Sequence, residues 1–114
     1  MYYLQLEKRA TDFGVEVIVF CKTIKITPIS LPLVGQVVRS ASSVGANYRE
    51  ANQAASKKDF RNKIKICQKE ASETKHWLQL ISSLDDSYKE SCSKLWQEAH
   101  ELLLIFGKIA SQSK

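Results

Sequence analysis

Apolar side chains recur at intervals of three and four residues through almost the whole chain, and no stretch alternates with the two-residue period of a strand. That pattern admits one kind of element, an amphipathic helix with a face to bury. Phe13, Val17, Phe20 and Ile24 mark the first helix, over about 6–25. Leu33, Val37, Val44, Tyr48, Ala51 and Ala55 mark the second, over about 31–54. The third, about 57–84, carries Phe60, Ile64, Cys67, Ala71, Thr74, Leu78 and Ile81. The fourth, about 88–111, carries Leu95, Ala99, Leu102, Phe106 and Ile109, with Trp96, Leu103 and Ala110 widening the face.

The breaks between them carry their own chemistry. Pro28 cannot continue a helix, and Ser30 stands where a cap would precede Leu31-Pro32. Ser56 and Asp59 have the spacing of a capping box, as do Ser87 and Glu90 after Asp85-Asp86. Only four Gly and two Pro in 114 residues argue against the many turns of a sandwich or barrel. Four helices of ~20 residues, each ~30 Å long and joined by short turns, specify an all-α, up-down-up-down antiparallel four-helix bundle. At this length residues 1–114 make a single domain. The middle of helix two, Ser40 to Asn47, is almost all small residues around Gly45 and predicts close approach by neighbours on more than one side.

Several functions are disfavoured. The first residues lack an apolar signal core, and no run approaches the ~18 apolar residues of a membrane span, the best (Val15 to Cys21) being broken by Glu16. Cys21, Cys67 and Cys92 are odd in number and far apart, which fits buried free thiols in a reducing cytoplasm. No Gly-rich phosphate loop or nucleophile elbow is present, and no cofactor is expected. Glu73-Thr-Lys-His76 has the form of one di-iron bundle motif. The second is missing, because Gln97 occupies the position three before His100, so neither a metal site nor catalytic residues are expected. A metal-dependent bundle enzyme is the weaker rival reading.

Charge is more informative than its total. The chain's net +5 resides in residues 57–69, which hold six of the 17 basic residues and one of the 12 acids, leaving eleven of each elsewhere. On a helix Lys57, Lys58, Arg61, Lys65 and Lys69 fall within roughly 120° of one another while Lys63 stands apart. Such a ridge matches phosphates and would bind them salt-sensitively. It equally suits a solvated face that keeps the chain soluble. No aromatic platform is interleaved with the lysines, since Phe60 belongs to the core stripe, so base-specific reading is not implied.

A second apolar stripe on helix three, Ile66, Trp77, Leu80 and Leu84, exceeds what one buried face needs and predicts an oligomer interface. The rival reading makes it a docking face for another protein, on a scaffold whose charge is only solubilising. Helix two bears a polar stripe of Gln36, Arg39, Ser43 and Glu50, with Asn47 at its edge. Arg39 and Glu50 lie about 16 Å apart along one helix, so their partners must come from other helices or subunits. The stripe serves either a network that fixes register or contact with a ligand or neighbouring subunit.

Gln36-Val-Val-Arg-Ser-Ala-Ser-Ser-Val-Gly-Ala-Asn-Tyr-Arg-Glu50, Lys58-Asp-Phe60 and Glu70-Ala-Ser-Glu-Thr-Lys-His-Trp-Leu78 resemble a bacterial family, the four-helix-bundle proteins encoded in 23S ribosomal RNA intervening sequences. The matching positions are Arg39, Ser40, Gly45, Asn47, Glu50, Lys58, Asp59, Phe60, Glu73 and Leu78. Many relatives have a basic pair where this chain has Val38-Arg39, and Gly where it has Ala51. The resemblance implies a non-enzymatic bundle forming a ring-like homopentamer. It also implies a relation to retroelement accessory proteins that bind nucleic acid and a reverse transcriptase. It favours structured RNA, ribosomal or other, as partner, with Lys57, Lys58, Arg61, Lys65, Lys69 and Arg39 as phosphate contacts. Ile66, Trp77, Leu80, Leu84, Asn47 and Glu50 are the expected subunit contacts.

Overall fold

The computed structural model describes residues 2–113. Four helices follow one another as α1 (Tyr2–Cys21), α2 (Ser30–Asn52), α3 (Lys57–Ser82) and α4 (Lys89–Gln112), and a single 3₁₀ turn, Asp86–Tyr88, leads into α4. They form the up-down-up-down bundle predicted by the apolar period, 44 Å long and about half as wide. Packing runs α1 to α2 to α3 to α4, and the closing contact between α4 and α1 is the thinnest.

The expected faces form the core except at Ala55, which is exposed because α2 ends at Asn52. Phe13, Val17, Val37, Val44, Ile64, Leu78, Ile81, Leu102 and Phe106 are wholly buried, and Tyr48 packs its ring 5.5 Å from that of Phe106. The three cysteines are free and buried. Burial pushes the Cys67 thiol up to about 12 and those of Cys21 and Cys92 up to about 11, which suppresses thiolate chemistry.

Helix ends differ from expectation in instructive ways. α1 begins at Tyr2, and closes at Cys21, where bonds from Thr23 N to Phe20 O and from Ile24 N to Cys21 O tighten the last turn. Ile24 remains buried beyond the helix. Ser30 does not cap α2. Thr27 does so, its Oγ1 accepting from Ile29 N and Ser30 N, while the Ser30 hydroxyl donates to Lys25 O and pins the loop. Ser87 likewise yields to Asp85, whose carboxylate accepts from Ser87 N at 2.8 Å and starts the 3₁₀ turn. In both cases the chain turns helical earlier than the capping-box pattern suggests, so the effective cap moves upstream. Ser56 caps α3 as expected, accepting from Asp59 N at 3.1 Å.

The small-residue run of α2 is crowded from two sides. A Cβ at Gly45 would lie 3.3 Å from Thr11 N and 3.4 Å from the Ala10 carbonyl, and one at Gly14 would lie 3.6 Å from Ala41 O. On the other side Thr74 Oγ1 of α3 donates to Ser40 Oγ at 2.8 Å, and the Cys67 thiol points at Val44 O. The two glycines are therefore not equivalent. Gly14→Ala fits ordinary contact and should stabilise by up to about 1 kcal/mol through helix propensity. Gly45→Val drives branched atoms into the α1 backbone and should cost about 1–3 kcal/mol. Thermal or denaturant melts of the two variants should move in opposite directions.

Candidate nucleic-acid interface

Ser56 sets where α3 begins, and so places Lys57 and Lys58 in its first turn. Cations there oppose the helix dipole, whose positive end lies at the N-terminus, at ~0.3–1 kcal/mol each. Asp59 is the only acid in that turn. Phe60, half-buried against the core, and Ile64, fully buried, orient the helix so that the opposite side faces solvent. Lys57, Lys58, Lys65 and Lys69 are exposed, and Arg61 lies half-buried beside them with its Nε unpartnered.

Ion pairing separates these residues from Lys63 and from six cations elsewhere on the bundle, while among the described residues Lys22, Lys25, Lys75 and Lys108 also lack a carboxylate. Lys8, Arg9, Arg39, Arg49, Lys63, Lys89 and Lys94 all reach carboxylates. Among the described residues Lys57, Lys58, Arg61, Lys65 and Lys69 form no ion pair. The one member of the 57–69 cluster that does is Lys63, which donates to Glu50 at 2.9 Å. It is also the member that stands off the ridge by helical angle. The ridge thus keeps its charge free of carboxylates, with its four lysines facing water.

Arg39 belongs to a different arrangement. Its guanidinium spans from α2 to α3, donating to Glu70 at 2.8 Å and to Glu73 at 2.5 Å, and the Glu70 bond leads in holding its pKa above the ordinary arginine value. Glu70 is a buried carboxylate, so this cation is committed to the bundle and is not joined to the ridge. Glu50 accepts from Lys63 in an exposed pair, and the Asn47 amide donates to Ser43 O and Oγ within its own helix. The polar stripe of α2 therefore acts in part as a register network across α2 and α3. Arg39's partners lie more than 30 residues away on α3, out of reach of any local pattern.

The second stripe of α3 divides. Ile66 and Leu80 are 37% and 38% exposed, whereas Trp77 and Leu84 are half-buried and pack on the core. The larger uncovered apolar surface lies elsewhere: Val15, Ile18 and Val19 on α1, with Ile26, Ile29 and Leu31 at the following turn. A groove of about 740 Å³ runs beside it between α1 and α4, lined by Val15, Val19, Phe20 and Leu95. Periodicity alone hid this face, since the α1 core stripe absorbs the pattern. Glu73 faces Arg39 and His76 lies against Trp77; among the described residues no three His, Cys, Asp or Glu side chains converge as a metal site would need. No helix of the described residues is long and apolar enough to cross a membrane.

The family model of the 23S rRNA-intervening sequence protein matches residues 3–108. The chain belongs to that family. Among solved structures it is similar to a protein with unknown function from the S23 ribosomal protein family of Bacteroides thetaiotaomicron VPI-5482. The two share 30% identity with a TM-score of 0.84, over 92% of this chain and 97% of the other. The curated proteins contain no match. The resemblance read from Gln36–Glu50 and the two blocks after it thus identifies the family.

Arg39 offers a check on the division between clasp and ridge. Arg39→Ala strands a buried carboxylate but removes a half-exposed, screened cation, so the loss should be about 1–2 kcal/mol in a urea melt. Adding Glu70→Gln should recover part of it, and nucleic-acid affinity should change less than twofold.

Proposed function

We propose that this 23S rRNA-intervening sequence family member is a non-enzymatic RNA-binding bundle that works as a cytoplasmic homo-oligomer, ring-like and pentameric as the resemblance implies. The observation that carries it is the unpaired ridge of Lys57, Lys58, Arg61, Lys65 and Lys69 beside a paired Lys63. A face meant only for solubility gains nothing from avoiding carboxylates, whereas phosphate binding requires the cations to be free. Two of them also sit where the helix dipole disfavours them. Rotational symmetry would join the ridges into a band, multiplying one protomer's charge.

Four or five phosphate contacts per protomer imply that a fourfold rise in salt weakens binding to structured RNA about a hundredfold. Reversing Lys57, Lys58, Arg61 and Lys65 to Glu should abolish that binding in filter or fluorescence assays, with the helical circular dichroism unchanged. Unaltered affinity at low salt would refute the reading.

Assembly is testable separately. Sedimentation should show a species larger than the protomer, and Ile66→Glu with Leu80→Glu should shift it to monomer. A second reading, a scaffold for another protein, draws on the uncovered face of Val15, Ile18 and Val19. It gains if Val15→Lys and Val19→Lys leave self-association and RNA affinity untouched.

A further inference from the structure

The seam between α3 and α4 holds a cluster that neither helix shows alone. The Trp96 and His100 rings of α4 stack at 5.2 Å with only 16° between their planes. Lys75 of α3 reaches across, its Nζ 4.3 Å from the Trp96 ring centre and donating to His100 Nδ1 at 2.9 Å, which fixes the Nε2–H tautomer. Beside them opens a groove of about 320 Å³ between the helices, bordered by Trp96, Gln79, Ser82, Lys89 and Ser93 over a floor of Leu78 and Cys92.

This groove has the features that hold a single flat heterocycle. The indole gives a π-surface braced from one helix by His100 and from the other by Lys75, so its orientation is set before a ligand arrives. Gln79 and Ser93 are exposed at the rim and engage in no side-chain hydrogen bond among the described residues, leaving an amide and a hydroxyl free for a ring edge. Lys89 stands at one end, its Nζ donating to Ser82 O at 3.3 Å and lying 3.9 Å from the Asp86 carboxylate, so the subsite relies on the ridge for its phosphate contacts. The volume lies at the small end of the range for ligand pockets.

Its position ties it to the basic ridge. Gln79 is ten residues beyond Lys69 on α3, about 15 Å along the axis, and the exposed Ser72 and His76 continue the same outer face between them. We propose that this groove is a base-stacking subsite: a strand whose phosphates lie along Lys57–Lys69 places one unpaired nucleobase against Trp96. This rests on the RNA-binding reading and adds to it a preference for single-stranded or bulged segments.

A Trp77→Phe variant leaves Trp96 as the sole tryptophan, and the Trp77 Nε1 it removes has no hydrogen-bond partner to lose. The variant is titrated at low salt with an oligoadenylate of about eight nucleotides and with the same ribose-phosphate backbone lacking bases. The expected result is quenching of Trp96 emission by the oligoadenylate alone, with affinity about tenfold above that of the abasic strand. Equal affinities without quenching would overturn the stacking subsite and leave the ridge standing. Binding of neither strand, nor of structured RNA, would remove the ridge and the subsite together. On the full sequence, Gln79→Arg at the exposed rim should lessen the preference for bases while leaving abasic binding at least as strong.

Discussion

The contact between α2 and both of its neighbours is the constraint on which this bundle depends. Gly45 lets the α1 backbone pass closer than a Cβ ordinarily allows, and the hydroxyls of Ser40 and Thr74 bond to each other where α3 comes close on the other side. A larger side chain at either place would push helices apart along their whole length, because interiors packed to crystal density cannot absorb the volume locally. The run of small residues is costly for an isolated helix, and its tertiary packing offsets the cost. With α2 held this way, the rotation of α1 and α3 about their own axes follows from which side chains are left to fill the core.

Polar clasps then fix register at each seam. Arg9 reaches Glu98 and Glu101 from α1 to α4, Arg39 reaches Glu70 and Glu73 from α2 to α3, Lys63 reaches Glu50, and Lys75 reaches His100 between α3 and α4. Since α1 and α4 share the least packing, the Arg9 pair is the main polar bridge closing the bundle there. On α3 these clasps engage Lys63 and Lys75, the two cations outside the ridge. What remains free on α3 is thereby a single continuous face, set by its rotation, and the proposed function rests on that remainder more than on the total charge.

The mistaken ends of α2 and α4 show where local patterns fall short. A capping box states which side chain could bond which backbone N–H, but the first turn can tighten into 3₁₀ geometry and move the cap two residues upstream, as at Asp85. The second stripe of α3 shows the same limit at the level of packing. Its period is real, yet Trp77 and Leu84 turn inward against the core while Ile66 and Leu80 stay out, because a helix flanked on both sides buries more than one stripe. The uncovered apolar residues of α1 carry no distinguishing pattern, since only the position of α4 decides which of them are left open.

The amino-acid sequence by itself determined the four helices, their antiparallel order, most of the core, the free buried cysteines, the family and the location of the charge excess. The family follows from a motif resemblance, and the others from short-range periodicity, turn signals or composition, which a chain expresses before it folds. Tertiary structure alone decided which cations are free, that Arg39 serves the bundle, and that Trp96, His100 and Lys75 meet across a seam. Those facts depend on distances between side chains 25 to more than 30 residues apart, and such distances are set by helix rotation and stagger. Rotation and stagger come from packing volume around Ser40 to Asn47, a property of the assembled helices and not of any one of them.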